Sequence, residues 1–175
     1  NSGLAGTPRN QNMGNAATPM ALDIALLQEM YGANTTFENG NSVYELSDSN
    51  GAWSAIWDTG GTDEIIYNGR REVNIDLREA TLQQEPGGGG FISATQGIGG
   101  GLTIANGAEI ENASGGSGDD TLTGNGLGNE LTGNAGDDDI NGGAGNDTVD
   151  GNSGSDEIQT GSGTNTLYGG SGFDN

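Results

Sequence analysis

The chain has no cysteine, no histidine and no lysine, and its cationic side chains are four arginines, Arg9, Arg70, Arg71 and Arg78. Without cysteine, disulfides are excluded. Without histidine, the commonest general base and the commonest zinc ligand are both missing. Without lysine there is no P-loop, so the glycine clusters at 87–90 and 99–101 read as turns between strands. No apolar run is long enough to span a membrane, and no stretch reads as a signal peptide. Proline occurs 3 times beside 36 glycines, and no three-residue period is present, which excludes collagen.

What the chain does have is acid. Its 25 Asp and Glu give a formal net charge of −21 over 175 residues. Such a chain repels nucleic acid and anionic membrane surfaces, so neither nucleic-acid binding nor membrane insertion is expected. It also repels itself, and a monomer is expected. Something cationic must neutralise it before it can fold. The length suits one domain, or two small ones with a modest core. The start at Asn1 and the pattern interrupted at Asn175 lead us to expect a fragment of a longer protein.

Three regions separate by composition. Residues 1–17, NSGLAGTPRNQNMGNAA, read as a linker or the end of a missing upstream domain. The stretch TPMALDIALLQEMYGAN predicts a helix, with Thr18 as N-cap, Pro19 at the first turn and Gly32 at the stop. Met20, Ile24, Leu27 and Tyr31 form one apolar stripe, with Leu22, Leu26 and Met30 on the next, so this helix is expected to be buried. Up to residue 114, SVYEL, AWSAIW, EIIY, VNIDL, FISAT and LTIA predict short strands between turns. We therefore expect a helix-plus-strand region over 18–114 and a repeat region over 115–175.

From Gly115 the chain is periodic. Cut every nine residues it reads GGSGDDTLT, GNGLGNELT, GNAGDDDIN, GGAGNDTVD, GNSGSDEIQ, TGSGTNTLY and a truncated GGSGFDN. Position eight is aliphatic throughout: Leu122, Leu131, Ile140, Val149, Ile158 and Leu167. Position six is Asp or Asn throughout: Asp120, Asn129, Asp138, Asp147, Asp156, Asn165 and Asp174. Six residues of Gly, Asn and Asp suit a tight turn, and the remaining three suit a short strand with one inward side chain. Two such units complete one coil of a flattened solenoid, whose aliphatic residues stack into a thin core. One aliphatic side chain per nine residues cannot offset the ordering of nine residues of backbone, so a ligand must supply the difference.

The turns say which ligand. They offer backbone carbonyls and carboxylates only, an oxygen donor set that suits calcium rather than zinc or copper. Strands alternate between two faces, so turns on one edge come from repeats eighteen residues apart. One edge is expected to carry Asp120, Asp138, Asp156 and Asp174, and the other Asn129, Asp147 and Asn165. Each ion is expected between neighbouring turns of one edge. Candidate ligands are Gly133, Asn134, Gly136 and Asp138; Gly142, Gly143, Gly145 and Asp147; Gly151, Asn152, Gly154 and Asp156; Gly163 and Asn165; and Gly170, Gly172 and Asp174. The all-Asp edge is expected to bind more strongly.

The nonapeptide resembles G-G-x-G-x-D-x-U-x, the calcium-binding repeat of RTX proteins. TPMALDIALLQEMYGAN, WDTGGTDEI and EIENASGGSGDD, in that order, resemble the C-terminal domain of serralysins, secreted bacterial zinc metalloproteases. The resemblance implies a mainly β fold: a parallel, calcium-bound β-roll stacked on a short-stranded β region, with one N-terminal helix. It also implies further calcium ligands. Asp58, Gly60, Gly61 and Asp63 would come from the D-x-G-G-x-D segment, and Glu38, Gly40 and Ser42 from the preceding turn. Glu109 and Glu111 would complete a site with Gly116, Gly118 and Asp120; Asn125, Leu127 (through its carbonyl) and Asn129 would come from the second turn.

Serralysin catalysis needs zinc held by the histidines of H-E-x-x-H-x-x-G-x-x-H, which this chain cannot supply. No nucleophile–base pair is evident either, and carboxylates in glycine turns are more economical as metal ligands than as glycosidase acids. The expected function is thus a calcium-binding RTX module of a secreted, extracellular bacterial protein, folding on calcium after type I secretion. Its partners would be calcium ions, the type I secretion apparatus and an upstream catalytic domain, which would carry any zinc. The alternatives are the C-terminal half of a zinc metalloendopeptidase and a structural or adhesive β-solenoid.

Overall fold

Nine-residue periodicity becomes a stack of short strands in a computed structural model that describes residues 24, 27, 28, 30, 38–81 and 90–175. In the repeats the strands are β7 (Asn112–Ser114), β8 (Thr121–Thr123), β9 (Glu130–Ala135), β10 (Asp139–Asn141), β11 (Thr148–Ser153), β12 (Glu157–Gln159) and β13 (Thr166–Tyr168). Before them come β1 (Val43–Leu46), β2 (Trp53–Ile56), β3 (Glu64–Tyr67), β4 (Val73–Asp76), β5 (Ala94–Thr95) and β6 (Gly101–Ile104). Five of these upstream strands fall inside a run expected from β-branched and aromatic content, and β6 begins one residue before its run, at Gly101. Of the expected helix, Ile24, Leu27, Gln28 and Met30 are described and helical, but only Ile24 is buried, Leu27 and Met30 being exposed contrary to the expected burial of both stripes; the rest of that segment lies outside the described residues.

Odd and even repeat strands separate onto two faces. One sheet runs β1-β3-β7-β9-β11-β13 and the other β12-β10-β8-β4-β5, with β2-β6 as a separate pair. Pairing is parallel except between β4 and β5. The register steps by two repeats per level, aligning Leu131 with Val149 and Val149 with Leu167 in one sheet. In the other it aligns Leu122 with Ile140 and Ile140 with Ile158. The compositional boundary at Gly115 is no boundary between sheets, because β7, which precedes it, pairs with β9, and β4 pairs with β8.

The core lies between the two sheets. Leu122, Leu131, Ile140 and Val149 are 0 % exposed and join Ile65, Ile75, Leu77 and Ile110 in one cluster. Ile158 is half-buried, and Leu167 is 48 % exposed, contrary to a uniformly inward position eight. Leu167 lies on β13, the outermost strand of its sheet, so no further level covers it. Ile24 packs separately against Ala80 and Ala105.

Successive turns nest closely enough that some positions admit only glycine. A Cβ on Gly136, whose φ is +118°, would lie 2.1 Å from the Gly118 carbonyl oxygen. On Gly154 it would lie 1.8 Å from that of Gly136. Any side chain there would push the coils apart.

The exposure gradient predicts unequal dependence on the position-eight residues. Leu131→Ala is expected to destabilise the calcium-loaded protein by about 2–5 kcal/mol. Leu167→Ala is expected to stay within about 0.5 kcal/mol. Urea unfolding of both variants at saturating calcium measures the difference.

Candidate metal centre

The chain crosses between the two sheets at two edges, and position six of each of the six full repeats stands at the entry to a strand. At the edge leading into the five-stranded sheet the row is Asp120, Asp138, Asp156 and Asp174. The Asp120 N–H donates to Asp138 Oδ1 at 2.8 Å, the Asp138 N–H to Asp156 Oδ1 at 2.9 Å, and the Asp156 N–H to Asp174 Oδ1 at 3.2 Å. The row extends upstream, since the Val73 N–H donates to Asp120 Oδ1 at 2.8 Å. Each carboxylate therefore holds the preceding level through one oxygen.

The second oxygen is the chemically informative one. Oδ2 of Asp138 and of Asp156 is buried with no hydrogen-bond partner among the described residues, whereas Asp120 Oδ2 accepts the Gly116 N–H at 2.6 Å. A buried carboxylate oxygen left unpaired is strongly unfavourable unless a cation or proton meets it. The adjacent space is kept clear by glycine. A Cβ on Gly133 would lie 2.2 Å from Asp138 Oδ2, and one on Gly151 would lie 2.3 Å from Asp156 Oδ2 and 2.7 Å from the Gly169 carbonyl. The donor set is carboxylate and carbonyl oxygen, which fits calcium.

At the edge leading into the six-stranded sheet the row contains Asn129, Asp147 and Asn165, as the spacing predicts. The Asn129 N–H donates to Asp147 Oδ1 at 3.0 Å and the Asp147 N–H to Asn165 Oδ1 at 2.9 Å. Asp147 Oδ2 is again buried and unpartnered. The two amides are not: Asn129 Nδ2 donates to the Glu111 carbonyl at 2.8 Å and Asn165 Nδ2 to the Thr160 carbonyl at 2.9 Å.

This row also continues upstream, which the spacing did not reveal. The Asp63 N–H donates to Glu111 Oε2 at 2.8 Å, and the Ser42 N–H to Asp63 Oδ1 at 2.8 Å. Asp63 Oδ2 is another buried oxygen without a partner among the described residues. For Glu111 a signal existed: continuing the nine-residue frame backwards puts Glu111 at position six and the buried Ala113 at position eight. For Asp63 there was none, because its place in the row comes from β3 pairing with β7 across 48 residues.

Around Asp63 the upstream candidates gather. Asp58 is fully buried, accepting the Tyr44 hydroxyl at 2.7 Å and the Gly60 N–H at 3.2 Å. The Thr59 N–H donates to the Glu38 carbonyl at 3.2 Å, and the Ser42 hydroxyl to the Gly40 carbonyl at 3.2 Å. Gly61 lies so close to Gly40 that a Cβ there would meet its carbonyl at 2.7 Å. Glu38, Gly40, Ser42, Asp58, Gly60, Gly61 and Asp63 are thus brought together. Glu109 and Glu111 are not brought together with Gly116, Gly118 and Asp120. Strand β7 separates them, with the two glutamates before its start and the other three beyond its end, at opposite edges. Glu111 instead faces Asp63 and Asn129.

Electrostatics set the demand for a cation. Burial pushes the Asp138 carboxyl up from 3.8 to about 7, aided by the Asp120 and Asp156 carboxylates and opposed by the Asp120 N–H it accepts. Burial likewise raises Asp120, Asp63 and Glu111, with the Asp58 carboxylate adding to the shift of Asp63. Among the described residues no three acidic side chains converge on one point. A cation at these turns would need carbonyl oxygens to complete its shell. A second, exposed row lies outside the first and was missed in the sequence: the Asp137 N–H donates to Asp119 Oδ1 at 3.0 Å and the Ser155 N–H to Asp137 Oδ1 at 2.7 Å.

The RTX calcium-binding nonapeptide repeat matches in four copies, over residues 107–126, 114–149, 123–158 and 142–175. Serralysin C of Dickeya chrysanthemi is 40 % identical over 130 residues, 67 % of this chain and 25 % of the relative. Metalloprotease AprA of Pseudomonas entomophila (strain L48) is 37 % identical over 127 residues, 65 % of this chain and 24 % of the relative. A serralysin of Photorhabdus laumondii is 36 % identical over 127 residues, again 65 % of this chain and 24 % of the relative. The chain spans about a quarter of the length of these curated relatives. Residues 107–175 are thus RTX calcium-binding nonapeptide repeats, and the chain is homologous over its C-terminal part to the serralysin and AprA metalloproteases.

Proposed function

We propose that each ion sits between two turns of the same edge, one level apart, and couples calcium binding to the folding of the roll. The observation that carries this reading is the set of buried, unpartnered oxygens on Asp63, Asp138, Asp147 and Asp156. At the all-Asp edge the ligands are the carboxylates of Asp120, Asp138, Asp156 and Asp174 with carbonyls from Gly116, Gly118, Gly133, Asn134, Gly136, Gly151, Asn152, Gly154, Gly170 and Gly172. At the other edge they are Asn125, Leu127, Asn129, Gly142, Gly143, Gly145, Asp147, Gly163 and Asn165. The upstream site uses Glu38, Gly40, Ser42, Asp58, Gly60, Gly61, Asp63, Glu109 and Glu111. Without ions, burial and mutual repulsion of the carboxylates oppose folding; with them, binding drives folding by mass action.

The biological setting follows from the same chemistry. Flexible oxygen sites of extracellular modules have dissociation constants of roughly 10⁻⁴–10⁻³ M, suited to millimolar calcium outside cells. We therefore place the protein outside a bacterial cell as a monomer, unfolded before type I secretion and folded after it. Residues 1–17 are a linker or the end of an upstream domain, 18–114 the helix-plus-strand region and 115–175 the roll. One of the relatives is named a metalloprotease and others are named serralysins. The corresponding activity of this protein would belong to an upstream zinc domain, since its histidines cannot come from this chain.

Replacing Asp138 and Asp156 by Ala is expected to weaken calcium binding more than replacing Asn129 and Asn165, as read by isothermal titration. Equal losses would refute the reading. A pH dependence also follows. The unfolded Asp138 ionises above 3.8 but the folded one only near 7, so the calcium-free roll loses stability as pH rises through that window and gains it as pH falls. Protons then compete with calcium. The calcium concentration at half-saturation is expected to rise as pH is lowered from about 7.5 to about 5.5, and Asp138→Asn is expected to flatten the profile in calcium titrations.

A further inference from the structure

The joint between the upstream strands and the first coil is closed differently from the levels beyond it. At the turns ending in Asp138, Asp147 and Asp156 a spare carboxylate oxygen is buried, an arrangement that needs a positive charge, and the one later carboxamide among these positions, Asn165, donates within its own turn, to the Thr160 carbonyl. At the 124–129 turn two carboxamides stand in that place. Asn125 Nδ2 donates to the Leu77 carbonyl at 3.1 Å and to the Ile110 carbonyl at 2.9 Å. Asn129 Nδ2 donates to the Glu111 carbonyl at 2.8 Å and to Asn125 Oδ1 at 3.1 Å. All four amide hydrogens of the pair are used.

The orientation of both side chains is fixed by their surroundings. Asn125 Oδ1 accepts the Leu127 N–H at 2.9 Å, and Asn129 Oδ1 accepts the Asn125 N–H at 2.9 Å. Turning the Asn125 carboxamide over would set its oxygen against two carbonyls and its NH₂ against an N–H. The three carbonyls reached belong to the segment after β4 and the segment before β7, so the turn ties both sheets of the upstream region to the roll. Backbone bonds run in parallel: the Leu77 N–H donates to the Thr123 carbonyl at 2.8 Å. Asn129 still turns Oδ1 toward the next level, since a Cβ on Gly124 would meet both it and the Gly142 carbonyl, at 2.5 and 2.3 Å.

We propose that the side-chain NH₂ groups of Asn125 and Asn129 form an ion-free latch on the upstream side of their turn, doing between the upstream strands and the first coil what calcium does between later coils, while the carbonyls of that turn and Asn129 Oδ1 serve the ion shared with the next level. The joint then orders at lower calcium than the coils beyond it, and the roll grows outward from it. This rests on the calcium reading above.

Hydrogen exchange followed by mass spectrometry on this chain, with calcium titrated from chelator to millimolar, tests it. The wild-type segment Thr121–Leu131 is expected to gain protection at lower calcium than Thr148–Gln159. Asn125→Asp keeps the size but sets a carboxylate against the Leu77 and Ile110 carbonyls. It is expected to raise the midpoint of Thr121–Leu131 roughly tenfold, the factor one ordinary hydrogen bond gives, and to abolish its lead. If both wild-type segments gain protection at one midpoint, or if Asn125→Asp keeps the lead, the latch is wrong while the calcium reading stands. If no segment responds to calcium, both fall. Should the variant not fold at saturating calcium, the wild-type comparison alone decides.

Discussion

The fold depends on one shared group, the carboxylate at position six. In Asp138, Asp147 and Asp156 one oxygen accepts the N–H of the level before it, and the other is buried in a glycine-lined turn with no hydrogen-bond partner among the described residues. The first contact stacks the coils; the second makes the stack unfavourable until a cation arrives. Everything else accommodates this group. Glycines leave room for the ion and for the nesting turns, three-residue strands set the spacing, and a single aliphatic residue per repeat keeps the two sheets together without stabilising them enough to stand alone. A net charge of −21 works in the same direction, because uncompensated carboxylates repel one another in the compact state.

The rows are longer than the repeats. Asp63 and Glu111 extend one edge, and Val73 ties the other edge to β4. The upstream strands therefore present the first coil with a surface already in register, as a capping unit does in other solenoids. At the other end of the described stack Ile158 is half-buried and Leu167 exposed, so burial of position eight declines over the last two strands.

Much of this was legible because the signal is periodic. Position eight located the inward residues, and the separation of eighteen residues located the two edges, as the bonds from Asp120 to Asp138 and from Asn129 to Asp147 bear out. What the sequence hid was non-local. Nothing near Asp63 announces that it stacks on Glu111, and nothing near Glu111 says that β7 carries it to the edge opposite Asp120. Strand β7 itself, Asn-Ala-Ser, has no β-branched residue and is a strand because β3 and β9 flank it. The roles of Asn125 and Asn129 as donors were equally invisible, since an asparagine reads as a ligand or a donor only once its neighbours are placed.

The central claim is that calcium, rather than burial of apolar surface, decides whether the roll is folded. Far-UV circular dichroism in excess EGTA, followed by titration to millimolar calcium, measures this directly. The account predicts a β signal that is incomplete in EGTA and rises to its full value with calcium. A full β signal already present in EGTA would contradict it.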